Sequence, residues 1–133
     1  MNALDTNVLV RYLVQDDVMQ AKLASDYIRK YCTHETPGYI NRIVLCELVW
    51  VLESNYAYPR KLIVQVLGKI LQTRQFMTED SELAWLALDS YKRSKADFAD
   101  SWIGILNKHA GYAKTVTFDK DAAKSDNFLL LTK

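Results

Sequence analysis

The chain has 133 residues, 50% of them apolar and 25% charged, the balance of an ordinary globular protein. At about 150 residues per domain, one domain is expected over residues 1–133. Four Gly and two Pro exclude a collagenous, disordered or linker-rich chain, and 17 basic against 16 acidic residues leave a net charge of +1. That charge excludes a uniformly basic binder but allows a local basic patch.

The opening residues Asn2 to Leu4 read as a short buried strand, followed by three possible helix caps, Asp5, Thr6 and Asn7. Val8, Leu9, Tyr12 and Leu13 suit a short helix. A second helix is expected from Asp17 to Tyr31, with Met19, Leu23, Ala24, Tyr27 and Ile28 on its apolar stripe. Tyr39 and Ile40 form a short strand, and Ile43 to Glu53 a helix apolar almost all round. Pro59 fits the first turn of the next helix, which carries Leu62, Ile63, Val66, Leu67, Ile70 and Leu71. Strands are expected at 75–77, 115–118 and 128–131, and helices at 79–93 and 97–109, with a helical turn beginning at Asp119. Strands alternating with helices indicate an α/β domain with a parallel sheet covered on both faces. Ligands in such folds bind beyond the carboxyl ends of the strands, where Asp5 and Asp119 fall.

The two cysteines, Cys32 and Cys46, form no C-x-x-C pair. They fit small core residues in a reducing, cytoplasmic setting. The first five residues carry no signal-peptide pattern, and no apolar run reaches the roughly 18 residues of a membrane span.

Five acidic positions stand out. Glu47 is the only charge in residues 43–52; in a helix this apolar, a buried carboxylate needs a cation or several donors. The alternative is a narrow exposed stripe, or pairing with Arg42. Asp5 caps the first helix or binds a metal. Asp97 and Asp100, at i and i+3, share a helical face, or serve as N-cap and N3 acid. Asp119 follows Thr115–Phe118 and could also cap a turn. Four converging carboxylates would repel one another and raise their pKa values, a cost a divalent ion removes. Oxygen-only donors point to Mg²⁺ or Mn²⁺ rather than zinc, and to phosphodiester hydrolysis by metal-activated water.

No phosphate-cradling glycine motif and no G-x-S-x-G nucleophile is present. His34 and His109 fall in a turn and at a helix end. Trp50, Trp85 and Trp102 are expected in core or interface. Arg11, Arg42 and Lys120, with other bases, offer a phosphate-attracting rim or an ordinary solvated face.

Four blocks in order, Leu4-Asp5-Thr6-Asn7-Val8-Leu9, Leu45-Cys46-Glu47-Leu48, Ala96-Asp97-Phe98-Ala99-Asp100-Ser101-Trp102-Ile103 and Val116-Thr117-Phe118-Asp119-Lys120-Asp121-Ala122-Ala123, resemble the PIN-domain family. Within it they resemble the VapC-type ribonuclease toxins of toxin–antitoxin pairs. The resemblance implies a three-layer sandwich with a five-stranded parallel sheet between helices, often as a homodimer. It implies an endoribonuclease dependent on Mg²⁺ or Mn²⁺. Asp5, Glu47 and Asp100 match the core catalytic acids and metal ligands, Asp119 the less strict fourth, and Asp97 an additional acid. Thr6 and Asn7 would orient Asp5 and a water on the metal, with Thr117 also supporting the site. The implied partners are an RNA substrate, commonly tRNA, and a VapB-like antitoxin. Ser101 and Trp102 depart from the small and aliphatic residues usual at their positions.

Two other readings compete. An aspartate-nucleophile phosphatase would use Asp5, but Asn7 removes the D-x-D that such enzymes favour. A non-catalytic RNA- or protein-binding module would have no need to concentrate carboxylates.

Overall fold

The computed structural model describes residues 1–132. In order come α1 (Thr6–Val14), α2 (Val18–Tyr31), β1 (Gly38–Ile40), α3 (Arg42–Tyr56), α4 (Arg60–Gln72) and β2 (Phe76–Thr78). Then follow α5 (Ser81–Arg93), α6 (Phe98–His109), β3 (Thr115–Thr117), a 3-10 turn (Ala122–Lys124) and β4 (Phe128–Leu130). The chain divides into two compact units, Met1–Ser81 and the segment from Glu82 onward.

In the first unit β1 and β2 pair in parallel, from Gly38 opposite Phe76 to Ile40 opposite Thr78. Parallel neighbours need a crossover, which α3 and α4 supply. The opening strand shrinks to one parallel bridge, Ala3 to Tyr39. Leu4 N–H donates to the Tyr39 carbonyl at 2.8 Å, and Tyr39 N–H to that of Asn2 at 3.0 Å. The strand stays this short because Asp5 already occupies the N-cap of α1. Gly38 permits the close approach, since a Cβ there would lie 2.8 Å from Leu4 Cδ1 and 2.9 Å from Cys32 Sγ. Leu9, Ile40, Leu45, Leu48, Leu52 and Ile63 are buried in this unit.

The second unit has its own parallel pair, Thr115 opposite Phe128 through Thr117 opposite Leu130. The connection is short, residues 118–127, and contains the 3-10 turn. Tyr91 and Phe98 meet edge to face, with centroids 5.6 Å apart, a favoured aromatic geometry. Ala96, Ala122 and Phe128 form a small buried cluster.

The α/β class holds, and a five-stranded parallel sheet is not shown: among the described residues the strands form two two-stranded parallel sheets and one bridge. Each named strand is three residues long, so it has few ladder groups to offer a further neighbour. Pro59 lies at the N-cap of α4, one residue ahead of the first turn.

Two helical faces also differ from the expected stripes. On α2 the buried residues are Ala21, Ala24 and Ile28, while Met19 and Leu23 are exposed. The Asp17 carboxylate caps the Gln20 N–H, and α2 packs against α1. Helix α3 buries Val44, Leu45, Leu48, Val49 and Leu52 but exposes Ile43, Glu47 and Trp50 along one stripe. Among the described residues no helix is long and apolar enough to cross a membrane.

Candidate active-site residues

Asp5 sits at the N-cap of α1 with φ −84° and ψ 161°, the backbone shape of a capping residue. Its carboxylate makes no capping hydrogen bond, and the residue is exposed. The capping role weighed above is therefore not performed by the side chain. Thr6 follows, 7% exposed. Its Oγ1 donates to Glu47 Oε1 at 2.9 Å. Thr6 thus holds Glu47, a partner the sequence did not reveal, since 41 residues separate them. Glu47 itself is exposed, so the expectation of a buried carboxylate is corrected. The helix has an apolar sequence all round, but only one side of it is covered. Asn7 is exposed.

In the second unit Asp97 holds the N-cap of α6 (φ −63°, ψ 151°), again without a side-chain capping bond. Asp100 lies in the first turn of α6 and is half-buried. Burial pushes its carboxyl above the usual carboxylate range, and the negative charges of Asp97 and Asp119 add to the effect. Asp119 does cap: its Oδ1 accepts from the N–H groups of Asp121 and Ala122, both at 2.9 Å. Its own N–H donates to Thr117 Oγ1 at 3.0 Å. Thr117 thus bonds the Asp119 backbone rather than its carboxylate. Asp119 Oδ2 takes no part in those bonds. Asp121, the neighbouring acid, pairs with Lys124 at 3.6 Å.

Among the described residues, no three His, Cys, Asp or Glu side chains close on one point as a ready-made metal cage. The acids of the second unit are near enough to feel one another's charge without being drawn together. The donor set still suits a hard divalent cation: all oxygen, with like-charge repulsion at Asp100 that a cation would relieve.

The expected phosphate-attracting bases fare unequally. Arg11 bonds Gln20 Oε1 at 2.7 Å and Asp16 Oδ1 at 3.2 Å. The Arg42 guanidinium lies 3.4 Å from Glu79 Oε2 and 3.3 Å from Asp80 Oδ2. Both charges are engaged by acids, and neither pairs with Glu47. Lys120 is exposed. An open groove of about 630 Å³ runs between α1 and α2, lined by Leu4, Asn7, Val8, Arg11, Leu23 and Tyr27 among others. None of the candidate acids lines it. Of the tryptophans, Trp102 is buried, whereas Trp50 and Trp85 are exposed.

The sequence profile of the PIN domain family matches residues 3–127. The chain is 24% identical over 120 residues to a protein named VapC ribonuclease from Aquifex aeolicus (strain VF5), a match covering 90% of this chain and 88% of that one. No solved structure matches. The profile spans both units and all four acidic blocks, and the chain belongs to the PIN domain family.

Proposed function

We propose that the chain is a divalent-metal-dependent endoribonuclease of the VapC toxin type, acting on RNA in the cytoplasm and neutralised by a cognate VapB-like antitoxin. The family and the ribonuclease name of its relative support this reading. The structural observation that carries it is in the first unit: Asp5 leaves its helix cap unmade, one residue from the threonine that holds Glu47.

In this reading Asp5, Glu47, Asp100 and Asp119 are the carboxylates that hold Mg²⁺ or Mn²⁺, and Asp97 adds charge beside Asp100. When bound, the ion supplies Lewis acidity at the scissile phosphate and makes a nearby water a competent nucleophile. Thr6 fixes the Glu47 carboxylate, as partners of metal ligands commonly do. Asp119 offers Oδ2 while Oδ1 anchors it to the following turn. Asn7 would help orient Asp5 and a water on the ion. Arg11, Arg42 and Lys120 attract the RNA backbone as a rim rather than gripping one phosphate. A homodimer and a tRNA substrate complete the proposal.

The test is cleavage of a mixed tRNA pool by purified, antitoxin-free protein with Mg²⁺ or Mn²⁺. Discrete fragments that vanish with EDTA and with Asp5→Asn are the expected result. Folded, metal-loaded protein that leaves both tRNA and total RNA intact would overturn the enzyme reading and favour a binding module.

A further inference from the structure

We propose that a cavity at the carboxyl end of α4, together with the outer face of that helix, binds phosphates of an RNA strand, an inference that rests on the ribonuclease reading above. Residues 54–78 hold four of the 17 basic residues, Arg60, Lys61, Lys69 and Arg74, and none of the 16 acidic ones. The rest of the chain therefore carries an excess of acids, and this segment the opposite charge. Helix α4 buries Ile63, Leu67 and Ile70. That leaves Lys61, Gln65, Lys69 and Gln72 exposed on its other side, with Lys61 and Lys69 about 12 Å apart along the axis. Among the described residues, Lys61, Lys69 and Arg74 pair with no acid.

Gln72 and Arg74 continue from this face into a cavity of about 320 Å³, whose other polar lining comes from His34, Thr73, Thr78 and Ser81. All of these residues belong to the first unit, and no carboxylate lines the cavity. Glu79 and Asp80, which follow Thr78, are engaged by Arg42. The walls are tied together. The Gln75 side-chain amide donates to the Cys32 carbonyl at 3.2 Å, and Gly38 N–H to the Gln75 carbonyl at 2.8 Å. Thr36 N–H donates to Thr33 Oγ1 at 3.0 Å, closing the turn that carries His34. Guanidinium, amide and hydroxyl donors are the groups that contact nucleic-acid phosphates. A cation beyond a helix C-terminus also complements the helix dipole, but that role accounts for neither His34 nor the hydroxyls. Composition argues against an acidic protein as the occupant. Lysine is depleted at protein interfaces, where aromatic residues and Met are enriched, and the outermost row of α4 is Lys and Gln.

The experiment uses the full chain as Asp5→Asn, to prevent cleavage, titrated with a labelled, unpaired oligoribonucleotide at several KCl concentrations. Each phosphate contact on a single strand contributes about 0.7 to the steepness of log affinity against log salt. Arg74→Gln is expected to lower that steepness by about 0.7 and to weaken binding about 10-fold at low salt, the loss of one charge-assisted hydrogen bond. Adding Lys61→Gln and Lys69→Gln should bring the loss of steepness to about 2. Lys22→Gln, which removes a cation paired with Asp26, should change neither. All four residues are exposed, so the variants should fold, which circular dichroism would check. Unchanged affinity and steepness in the triple variant would overturn the inference and leave the ribonuclease reading standing. So would Lys22→Gln matching Arg74→Gln, since net charge alone would then account for the loss. Inorganic phosphate or a poly-glutamate peptide displacing the oligoribonucleotide at equal charge concentration would also overturn it, by making the occupant a free anion or an acidic protein. If the unsubstituted chain neither binds nor cleaves RNA, both readings fall together.

Discussion

The Thr6–Glu47 hydrogen bond invites a substitution that removes one atom's chemistry and little volume, Thr6→Val. A hydrogen bond to a charged group contributes about 1.5–3 kcal/mol when both partners are buried. Here Thr6 is buried but Glu47 is exposed, so water replaces the lost donor and valine leaves no orphaned hydroxyl. The cost falls to about 1 kcal/mol. For a chain of 133 residues, an unfolding entropy near 2.1 cal/mol/K per residue turns that into a drop of about 4 °C in Tm. The functional effect should be larger, because losing the partner of a metal ligand commonly costs about 10- to 100-fold in metal affinity or activity. The assay is RNA cleavage across a Mn²⁺ titration, alongside thermal melts. Thr6→Ser, which keeps the hydroxyl, should restore metal dependence. Thr6→Val combined with Glu47→Gln should lose little more than Glu47→Gln alone, since Thr6 acts through Glu47. The reasoning is refuted if Thr6→Val lowers Tm as calculated yet leaves the Mn²⁺ requirement and cleavage rate unchanged, or if the two substitutions add in full.

Asp119 separates structure from chemistry: Asp119→Asn keeps an oxygen for the Asp121 and Ala122 N–H groups and should lose cleavage with little loss of stability. Asp119→Ala should lose both, at about 1 kcal/mol for the cap; equal melting temperatures for the two variants would contradict this. Asp100 carries a raised carboxyl pKa, so the folded state binds its proton more readily than the unfolded chain. Its contribution to stability is full below the unfolded value of about 3.9 and is lost as pH rises through the raised folded value. Asp100→Asn should therefore raise Tm at pH 7 and reduce the gain that wild type shows on acidification; melts from pH 4 to 7 that superimpose for the two proteins would disprove it. Burial pushes the Cys46 thiol up to about 11 and raises that of Cys32. Neither should react with a thiol reagent at pH 8 until the chain is denatured, and rapid labelling of native protein would refute that.

Helices were largely legible because long periodic segments announce themselves: α2, α5 and α6 lie within two residues of where patterning places them. The phase of α2 was legible only in part, because alternative apolar stripes compete along that helix. Ala24 and Ile28 are buried as expected, but large Met19 and Leu23 are exposed and small Ala21 is buried in addition. Glu47 was legible as a lone charge, but its exposure was not. Sequence shows that a helix is apolar on every side without showing which sides are covered. The acids at 5, 97 and 119 follow from the residue types that open helices and turns. Whether each caps is a matter of rotamer, which local sequence leaves open. Contacts between distant segments were the least accessible: Thr6 to Glu47, Arg42 to Glu79 and Asp80, and Tyr56 to Asp16 at 2.9 Å. Each joins residues that only the fold brings together.

The helix starts provide an internal comparison. Asp17 caps the Gln20 N–H and Asn41 the Val44 N–H, each contributing about 1 kcal/mol. Asp5 and Asp97 hold the same structural position, with extended N-cap backbones like that of Asn41, but do not cap. Their backbones permit the bond; their side chains do not make it. A chain selected only for stability would cap all four starts, and the residue best suited to do so without bringing a charge is serine or asparagine. Aspartate at a helix start that forgoes its cap leaves a carboxylate available for something else, and local stability given up in this way is characteristic of functional positions. Asp5 stands beside the threonine that holds Glu47, and Asp97 contributes to the charge that raises Asp100. Within each unit the uncapped acid is therefore found where a second candidate acid is already held or perturbed. That pairing is what separates these two aspartates from the ordinary capping residues of α2 and α3.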